Sequence, residues 1–138
     1  MALTAFRLNG RFLDVAEALA RPAGLTAAHW QVLGAVLEEP LPVSGIARSM
    51  GITRQSVQRI ADLLADKGMV EYRPNPAHRR AKLVAPTPEG LAAVRRINPA
   101  HAAFADRLCD ALGDERAAAT LEALEHLADT LEALDDEA

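Results

Sequence analysis

Hydrophobic and polar positions separate most sharply between residues 53 and 68. At about 3.6 residues per turn, one side of this segment holds Val57, Ile60, Ala61, Leu63 and Leu64. The other side holds Arg54, Gln55, Gln58, Arg59 and Asp62. The pattern predicts an amphipathic helix that follows a Thr53 cap and ends at Gly68.

A shorter helix is predicted just upstream, over residues 43–50. Pro42 suits the first turn of a helix, and Gly51 suits its end. Its apolar residues Ile46, Ala47 and Met50 are expected to pack on Val57 and Ile60. Two helices joined by a short turn that contains glycine make the helix-turn-helix pattern.

Two β-type runs follow, residues 69–73 and 81–85, with a Pro- and Arg-rich loop between them. This arrangement predicts a β-hairpin beside the helix-turn-helix, which is a wing. Pro86 is expected to end the second strand because it has no backbone N–H.

The flanking segments predict helices over residues 4–20, 26–38, from Thr87 onward, and 114–134. Thr26 and Thr87 suit N-caps, and Pro99 is expected to kink or interrupt the fifth helix near residues 95–98. The last helix carries an apolar stripe made of Leu121, Leu124, Leu127, Leu131 and Leu134. Packing against the first and fifth helices of a second subunit would bury this stripe. The alternative is a helix that folds back on its own chain.

The charge is divided along the chain. The net charge is −4, yet residues 48–82 hold eight Lys or Arg and three acids, a net +5. Residues 101–138 hold two Arg and eleven acids, a net −9. Arg and Gln side chains match guanine and adenine edges in the major groove. Double-stranded DNA is therefore the expected partner, and the acidic end would orient the protein on it.

Enzymatic chemistry finds little support in the sequence. The four histidines are scattered, and no Gly-rich phosphate loop or clustered Cys/His spacing is present. We therefore expect no enzyme, metal or cofactor, and interpret His29 as a packing residue. Cys109, expected to be buried, excludes an intramolecular disulfide as the single cysteine but leaves a redox sensor open. Without a signal peptide or membrane-length apolar run, a cytoplasmic location is expected.

The order and spacing of several motifs resemble the MarR family of bacterial winged-helix regulators. The motifs are Leu25-Thr26, Trp30-Gln31-Val32-Leu33, Ile46-Ala47, Thr53-Arg54-Gln55-Ser56-Val57, Leu64, Lys67-Gly68-Met69-Val70, His78-Arg79-Arg80-Ala81-Lys82-Leu83-Val84 and Thr87-Pro88-Glu89-Gly90. The expected fold is mainly α with a small β-hairpin wing. Residues 1–24 and 88–138 would supply dimerisation helices, and residues 25–87 the winged helix-turn-helix domain.

Specific roles follow for the polar residues of the proposed reading head. Arg54, Gln55, Gln58 and Arg59 would face bases, Thr53 and Ser56 the flanking phosphates, Arg79 and Arg80 the minor groove, and Arg48 or Lys82 the DNA backbone. The family wing usually has Asp where this chain has His78. A neutral imidazole cannot form the bidentate pair that holds the wing arginine. Either another group orients Arg80, or this wing is looser.

The expected function is a homodimeric, sequence-specific transcriptional regulator, a ligand-responsive repressor that binds a pseudo-palindromic site. The resemblance implies a small aromatic or anionic effector, which no residue identifies. The alternatives are a constitutive architectural DNA-binding protein, a winged-helix protein-interaction module and a redox-sensing regulator that uses Cys109.

Overall fold

The structure, a computed structural model, describes residues 1–137. Its helices are α1 (Ala2–Ala20), α2 (Ala27–Ala35), α3 (Val43–Met50), α4 (Arg54–Asp66), α5 (Pro88–Leu112) and α6 (Asp114–Glu137), with a 3-10 turn at Arg21–Ala23. Its strands are β1 (Leu41–Pro42), β2 (Val70–Arg73) and β3 (Leu83–Pro86). Two compact units divide after Pro99. The predicted fold class, mainly α with a small β wing, is confirmed; Ala138 of the predicted C-terminal segment lies outside the described residues.

Three threonines start helices where the sequence predicts. The Thr26 hydroxyl accepts a hydrogen bond from the His29 N–H, and the Thr53 hydroxyl accepts one from the Ser56 N–H, each at 3.1 Å. Thr87 Oγ1 accepts one from the Gly90 N–H, also at 3.1 Å. An N-cap of this type contributes about 1 kcal/mol. These bonds therefore determine where α2, α4 and α5 begin.

The sheet has one strand more than the predicted hairpin. Its antiparallel order is β1-β3-β2, with Leu41 opposite Val84 and Val70 opposite Pro86. Strand β1 was missed because two residues carry no alternating pattern, and its partner lies about forty residues further along the chain. Pro86 is the last residue of β3, as predicted.

The helix-turn-helix packs as the pattern predicts, with one correction. Ile46 and Ala47 of α3 are buried, as are Val57 and Ile60 of α4. Leu63 was predicted on the buried side, yet 47% of it is exposed. On a helical wheel Leu63 lies at the edge of the apolar arc, so the head core does not reach it.

Helix α5 is continuous through Pro99, so of the two expected effects the interruption is wrong, whereas the kink stays a prediction. A proline removes one intrahelical hydrogen bond and crowds the preceding turn. Here Ile97, two residues before the proline, is buried, and the alanine-rich residues that follow favour a helix. Both sides therefore hold helical geometry across the missing bond.

In α6 the predicted apolar stripe faces solvent within this chain. Leu121, Leu131 and Leu134 are more than half exposed, Leu124 is 41% exposed, and Leu127 is half-buried. No residue of α6 is buried. Among residues 1–137, the leucines of the stripe are therefore not covered by the rest of the chain. Cys109, near the end of α5, is exposed, which corrects the expectation that it is buried.

His29 is a buried packing residue at the start of α2, as interpreted from the sequence. Its Nδ1 accepts a long hydrogen bond, 3.5 Å, from the Thr26 N–H and completes a capping box. Burial, and secondarily the positive charge of Lys67, lower the pKa of His29 below its ordinary value, while Glu17 acts in the opposite direction. The neutral imidazole is therefore the form that the fold favours.

We expect the free energy of unfolding to fall as the pH falls below about 6.5. Below that pH the unfolded chain binds a proton at His29 more readily than the folded chain does. The stability that neutral His29 contributes is therefore complete above about pH 6.5, and it is lost as the pH falls towards the lowered pKa of the folded state. The slope is at most about 1.4 kcal/mol per pH unit for one proton. Urea titrations from pH 7.5 to 5 would measure it. His29→Gln keeps an acceptor for the cap without titrating, so an identical slope in that variant would contradict the assignment to His29.

Candidate nucleic-acid interface

Helix α4 presents the predicted polar side to solvent. Arg54, Gln55, Gln58 and Arg59 are exposed, opposite buried Val57, Ile60, Ala61 and Leu64. Val57 and Leu64 are fully buried, so the helix cannot rotate about its axis without exposing core side chains. The fold therefore holds four side chains that can read or bind DNA on one accessible face.

The first turn of α4 offers hydroxyl and backbone groups to an anion. Thr53 donates from its Oγ1 to Ser56 Oγ at 3.0 Å while it accepts from the Ser56 N–H. The Thr53 hydroxyl hydrogen is thus committed, but the Ser56 hydroxyl keeps its own hydrogen to donate. Helix N-termini also favour negative charge. Of the two predicted phosphate contacts, Ser56 is therefore the better donor.

The wing loop between β2 and β3 is tied internally near its start. Asn75 Oδ1 accepts from the Ala77 N–H at 3.1 Å, and the Asn75 carbonyl oxygen accepts from the His78 N–H at 3.2 Å. Arg73 pairs with Glu71 at 2.8 Å on strand β2. Arg79 and Arg80 are exposed at the far part of the loop. Asn75 thus orders the turn that precedes these two arginines.

The predicted DNA-binding cations are unpaired within the described residues. None of Arg48, Arg54, Arg59, Arg79, Arg80 and Lys82 forms an ion pair in that part of the chain. Among residues 1–137, no carboxylate therefore forms with Arg80 the ion pair expected of the family aspartate. The positive charges of this face remain available to phosphate groups, whose neutralisation releases counterions.

A cleft of about 430 Å³ lies between α3, α4 and the wing. It is lined by Pro42, Val43, Ser44, Arg54, Gln58, Asp62, Tyr72, Arg80, Ala81 and Lys82. The structure thus brings together four predicted site residues: Arg54, Gln58, Arg80 and Lys82. The other six predicted residues, Arg48, Thr53, Gln55, Ser56, Arg59 and Arg79, are outside this lining.

A polar network that the sequence did not reveal holds Gln58 at the edge of the cleft. Gln58 Nε2 donates to Asp62 Oδ1 and to the Tyr72 hydroxyl, each at 3.0 Å, and the Tyr72 hydroxyl donates to Asp62 Oδ1. The hydrogen bonds from Tyr72 and then Gln58 lower the pKa of Asp62. Burial, followed by the hydrogen bond to Asp62, raises the pKa of Tyr72 to about 12. At neutral pH Asp62 is thus an anion and Tyr72 a neutral donor.

Part of this network has a signal in the sequence. Asp62 follows Gln58 by four positions, so the two share a helix face. Tyr72 and Val70 share a face of β2, because side chains alternate along a strand. Val70 is buried, which directs Tyr72 towards the head as well. The register between β2 and α4, which decides the contact, depends on tertiary packing.

Comparison with known proteins agrees with this architecture. The family model described as MarR family matches residues 23–81, from the end of the 3-10 turn to the wing. The chain belongs to the MarR family of DNA-binding transcription regulators. An uncharacterized protein of Mycobacterium tuberculosis is 35% identical to this MarR-family chain over 128 residues, which are 93% of the chain and 90% of that protein.

Solved structures of MarR-family type share the fold over nearly the whole chain. The transcriptional repressor CouR, bound to a 23-mer DNA duplex, is 26% identical with a TM-score of 0.82, covering 93% of this chain and 92% of that one. BpsR of Bordetella bronchiseptica, whose DNA binding is regulated by 6-hydroxynicotinic acid, is 22% identical with a TM-score of 0.81, covering 94% and 93%.

The family is one of transcription regulators. No helix among residues 1–137 combines the length and apolarity that a membrane crossing requires.

Proposed function

We propose that this MarR-family regulator is a homodimeric repressor that binds a pseudo-palindromic DNA site and releases it on binding a small effector. One observation carries the proposal. Exposed, unpaired Arg and Lys side chains of α4 and the wing surround one cleft, next to the amide of Gln58. Carboxylate-paired cations would have favoured a solvated surface instead. Guanidinium groups suit phosphates and base edges, and side-chain amides suit base edges.

In this proposal the side chains divide into readers and anchors. Arg54, Gln55, Gln58 and Arg59 read base edges. Thr53 and Ser56 bind the flanking phosphates, and Ser56 supplies the hydroxyl hydrogen that is free to donate. Arg79 and Arg80 enter the minor groove, and Arg48 or Lys82 binds the DNA backbone. Residues 1–24 and 88–138 supply the dimer helices around the reading head of residues 25–87. The repressor assignment is supported by the similarity to CouR, and DNA as target implies a cytoplasmic location.

Selection of bound sequences from random duplex DNA would test the function. We expect an enriched site with two inverted half-sites about one helical turn apart, as two heads related by twofold symmetry require. A reporter gene placed behind the selected site should be repressed. No enrichment together with no salt-dependent DNA binding would contradict the proposal and favour the protein-interaction module. If a site is enriched but no effector probe releases the protein from it, the constitutive architectural protein is favoured.

Replacing both wing arginines, Arg79→Ala with Arg80→Ala, should weaken binding to cognate and random DNA alike. For each phosphate that the variant no longer neutralises, the slope of log K, the logarithm of the association constant, against log salt should become less steep by about 0.9. Fluorescence anisotropy between 50 and 300 mM salt, roughly the range in which such interactions respond, would measure the slope. Both arginines are exposed, so stability should change by less than about 0.5 kcal/mol.

A second exposed arginine pair provides the matched control for the wing variant. Arg95 and Arg96 lie in α5 and do not line the cleft. Arg95→Ala with Arg96→Ala removes the same charge from the chain. If both double variants flatten the slope equally, net charge rather than wing contact controls the affinity, and the wing has no specific part in binding.

The proposed effector is a small aromatic anion held in the cleft. Its volume is within the range of small-molecule sites. Arg54, Arg80 and Lys82 line the cleft and attract a carboxylate, and Tyr72 adds an aromatic residue to the lining. Because these side chains include proposed DNA contacts, an occupant would compete with DNA.

Benzoate and 6-hydroxynicotinate are suitable probes for the effector. We expect each probe to bind the protein, as measured by calorimetry, and to weaken the DNA complex. Lys82→Ala should lower both the affinity for the probe and the probe's effect on DNA binding at least about tenfold. Cyclohexanecarboxylate, an anion without the ring electrons, separates charge from aromatic recognition. Effector binding that is unchanged in Lys82→Ala would move the site away from the cleft.

The redox alternative has one structural feature in its favour, the exposure of Cys109. Peroxide treatment of the wild type and of Cys109→Ser would decide it. Loss of DNA binding in the wild type alone would favour a redox-sensing regulator. Equal binding before and after treatment would favour the ligand-responsive one.

A further inference from the structure

The network around Gln58 restricts how this side chain can meet a base. Tyr72 is contributed by strand β2 of the wing, whereas Gln58 and Asp62 lie one turn apart on α4. The three polar groups contact one another at the edge of the cleft, and Tyr72 is partly buried there. The reading helix and the wing strand therefore share one hydrogen-bonded group of side chains.

The chemistry of the partners determines which end of the Gln58 amide turns inward. An ionised carboxylate only accepts hydrogen bonds, and the Tyr72 hydroxyl hydrogen is already directed at Asp62. Both oxygens therefore act as acceptors toward Gln58. A flipped amide would place Oε1 against two acceptor oxygens without a hydrogen between them. Nε2 consequently faces inward, and Oε1 faces solvent.

The same geometry leaves one amide hydrogen free. Asp62 Oδ1 and the Tyr72 oxygen lie side by side, because they are hydrogen-bonded to each other. The two hydrogens of a planar amide diverge too widely to reach two adjacent oxygens separately, so one hydrogen serves both. If the hydrogen on the same side of the C–N bond as Oε1 pointed inward, Oε1 would lie close to the Asp62 carboxylate. The hydrogen on the other side is therefore the one that donates to Asp62 and Tyr72. Oε1 and its neighbouring N–H then point outward together.

An outward C=O beside an outward N–H is the pattern that adenine complements in the major groove. Its N6 amino group donates, and its N7 accepts. We propose that Tyr72 and Asp62 are positioning residues for base recognition: they hold the Gln58 carboxamide so that it selects adenine at one position of each half-site. Holding the side chain before DNA arrives also reduces the rotamer freedom that is lost on binding. This inference rests on the proposed function, because it assumes that Gln58 reaches the major groove.

Selection from random duplex DNA, followed by affinity measurements on all four bases at the affected position, tests the inference. Gln58→Ala should abolish the preference at a single position and identify it. Tyr72→Phe removes only the hydroxyl oxygen and keeps the ring. It should lower discrimination at that same position about three- to tenfold, the effect of one net hydrogen bond, while binding to random DNA stays within about twofold.

Asp62→Asn provides a second variant in case Tyr72→Phe disturbs the fold. The new amide can donate as well as accept, so the Gln58 amide loses its fixed orientation and the adenine preference should fall. Asp66→Asn is the matched control, since Asp66 is an exposed carboxylate one turn further along α4. It removes the same charge and should leave base preference unchanged. A double variant, Gln58→Ala with Tyr72→Phe, should discriminate no less than Gln58→Ala alone.

The outcomes distinguish a failure of this inference alone from a failure of the proposed base reading by Gln58. If Gln58→Ala loses discrimination but Tyr72→Phe and Asp62→Asn retain it, the positioning role is overturned and DNA reading stands. A preferred base other than adenine at the Gln58-dependent position would overturn the amide orientation. Equal effects of Asp62→Asn and Asp66→Asn would assign the change to charge and also overturn it. If Gln58→Ala leaves every position unchanged, the base-reading role proposed for Gln58 fails together with the inference.

Discussion

The double substitution Leu124→Asp with Leu131→Asp is expected to dissociate the proposed dimer. Specific DNA binding should then fall by about 100-fold or more, because each half-site alone offers half the contacts. Both leucines are exposed in the single chain, at 41% and 56%. Burying a leucine in an interface contributes roughly 1.5 to 3 kcal/mol. The variant loses that contribution at both positions and places carboxylates in an apolar interface. Sedimentation velocity at micromolar concentration would measure the dissociation.

Two added charges on the opposite side of α6 provide the control for this variant. Ala118 and Ala133 are exposed and lie across the helix from the leucine stripe. Ala118→Asp with Ala133→Asp adds the same charge, also with a loss of helix propensity, and should keep the dimer and its DNA binding. A wild-type chain that sediments as a monomer at micromolar concentration yet binds a palindromic site would contradict the dimer proposal.

Local chemistry predicted the start of three helices because an N-cap depends on residues three positions apart. Thr26, Thr53 and Thr87 each accept the expected backbone hydrogen bond. The polar and apolar sides of α4 follow from a period that the sequence displays directly. The buried edge of the helix does not, as exposed Leu63 shows, since its extent depends on how far neighbouring elements reach.

The features that the sequence did not predict depend on pairing between distant segments. Strand β1 exists because Leu41 and Pro42 meet β3, a pairing that no local period records. The candidate site shows the same division. The exposed polar residues of α4 and the wing follow from pattern and resemblance, whereas the contact of Tyr72 with Gln58 and Asp62 depends on how β2 lies against α4. Sequence therefore predicted candidate DNA contacts without the network that orients one of them.

Gly90→Ala is expected to cause the largest loss of stability among single substitutions in the reading head and the helix that follows it. Gly90 is buried in the first turn of α5, and a Cβ there would lie 2.1 Å from the Met69 carbonyl oxygen. That oxygen belongs to the backbone and also accepts the Thr87 N–H at 3.0 Å, while the Met69 N–H donates to the Leu64 carbonyl at 2.8 Å. Met69 is thus bonded to its neighbours on both sides and cannot yield without breaking hydrogen bonds.

The start of α5 must therefore move away from the end of α4, at a cost of about 3 kcal/mol or more, the upper range for overpacking. Denaturant unfolding would show this as a lower midpoint. Gly34→Ala is the matched control, because Gly34 is exposed in α2 and a Cβ there would meet nothing within 4 Å. Alanine at that position should stabilise the helix by up to about 1 kcal/mol. If Gly90→Ala also stabilises the protein, the close approach of α5 to Met69 is not a feature of the folded state.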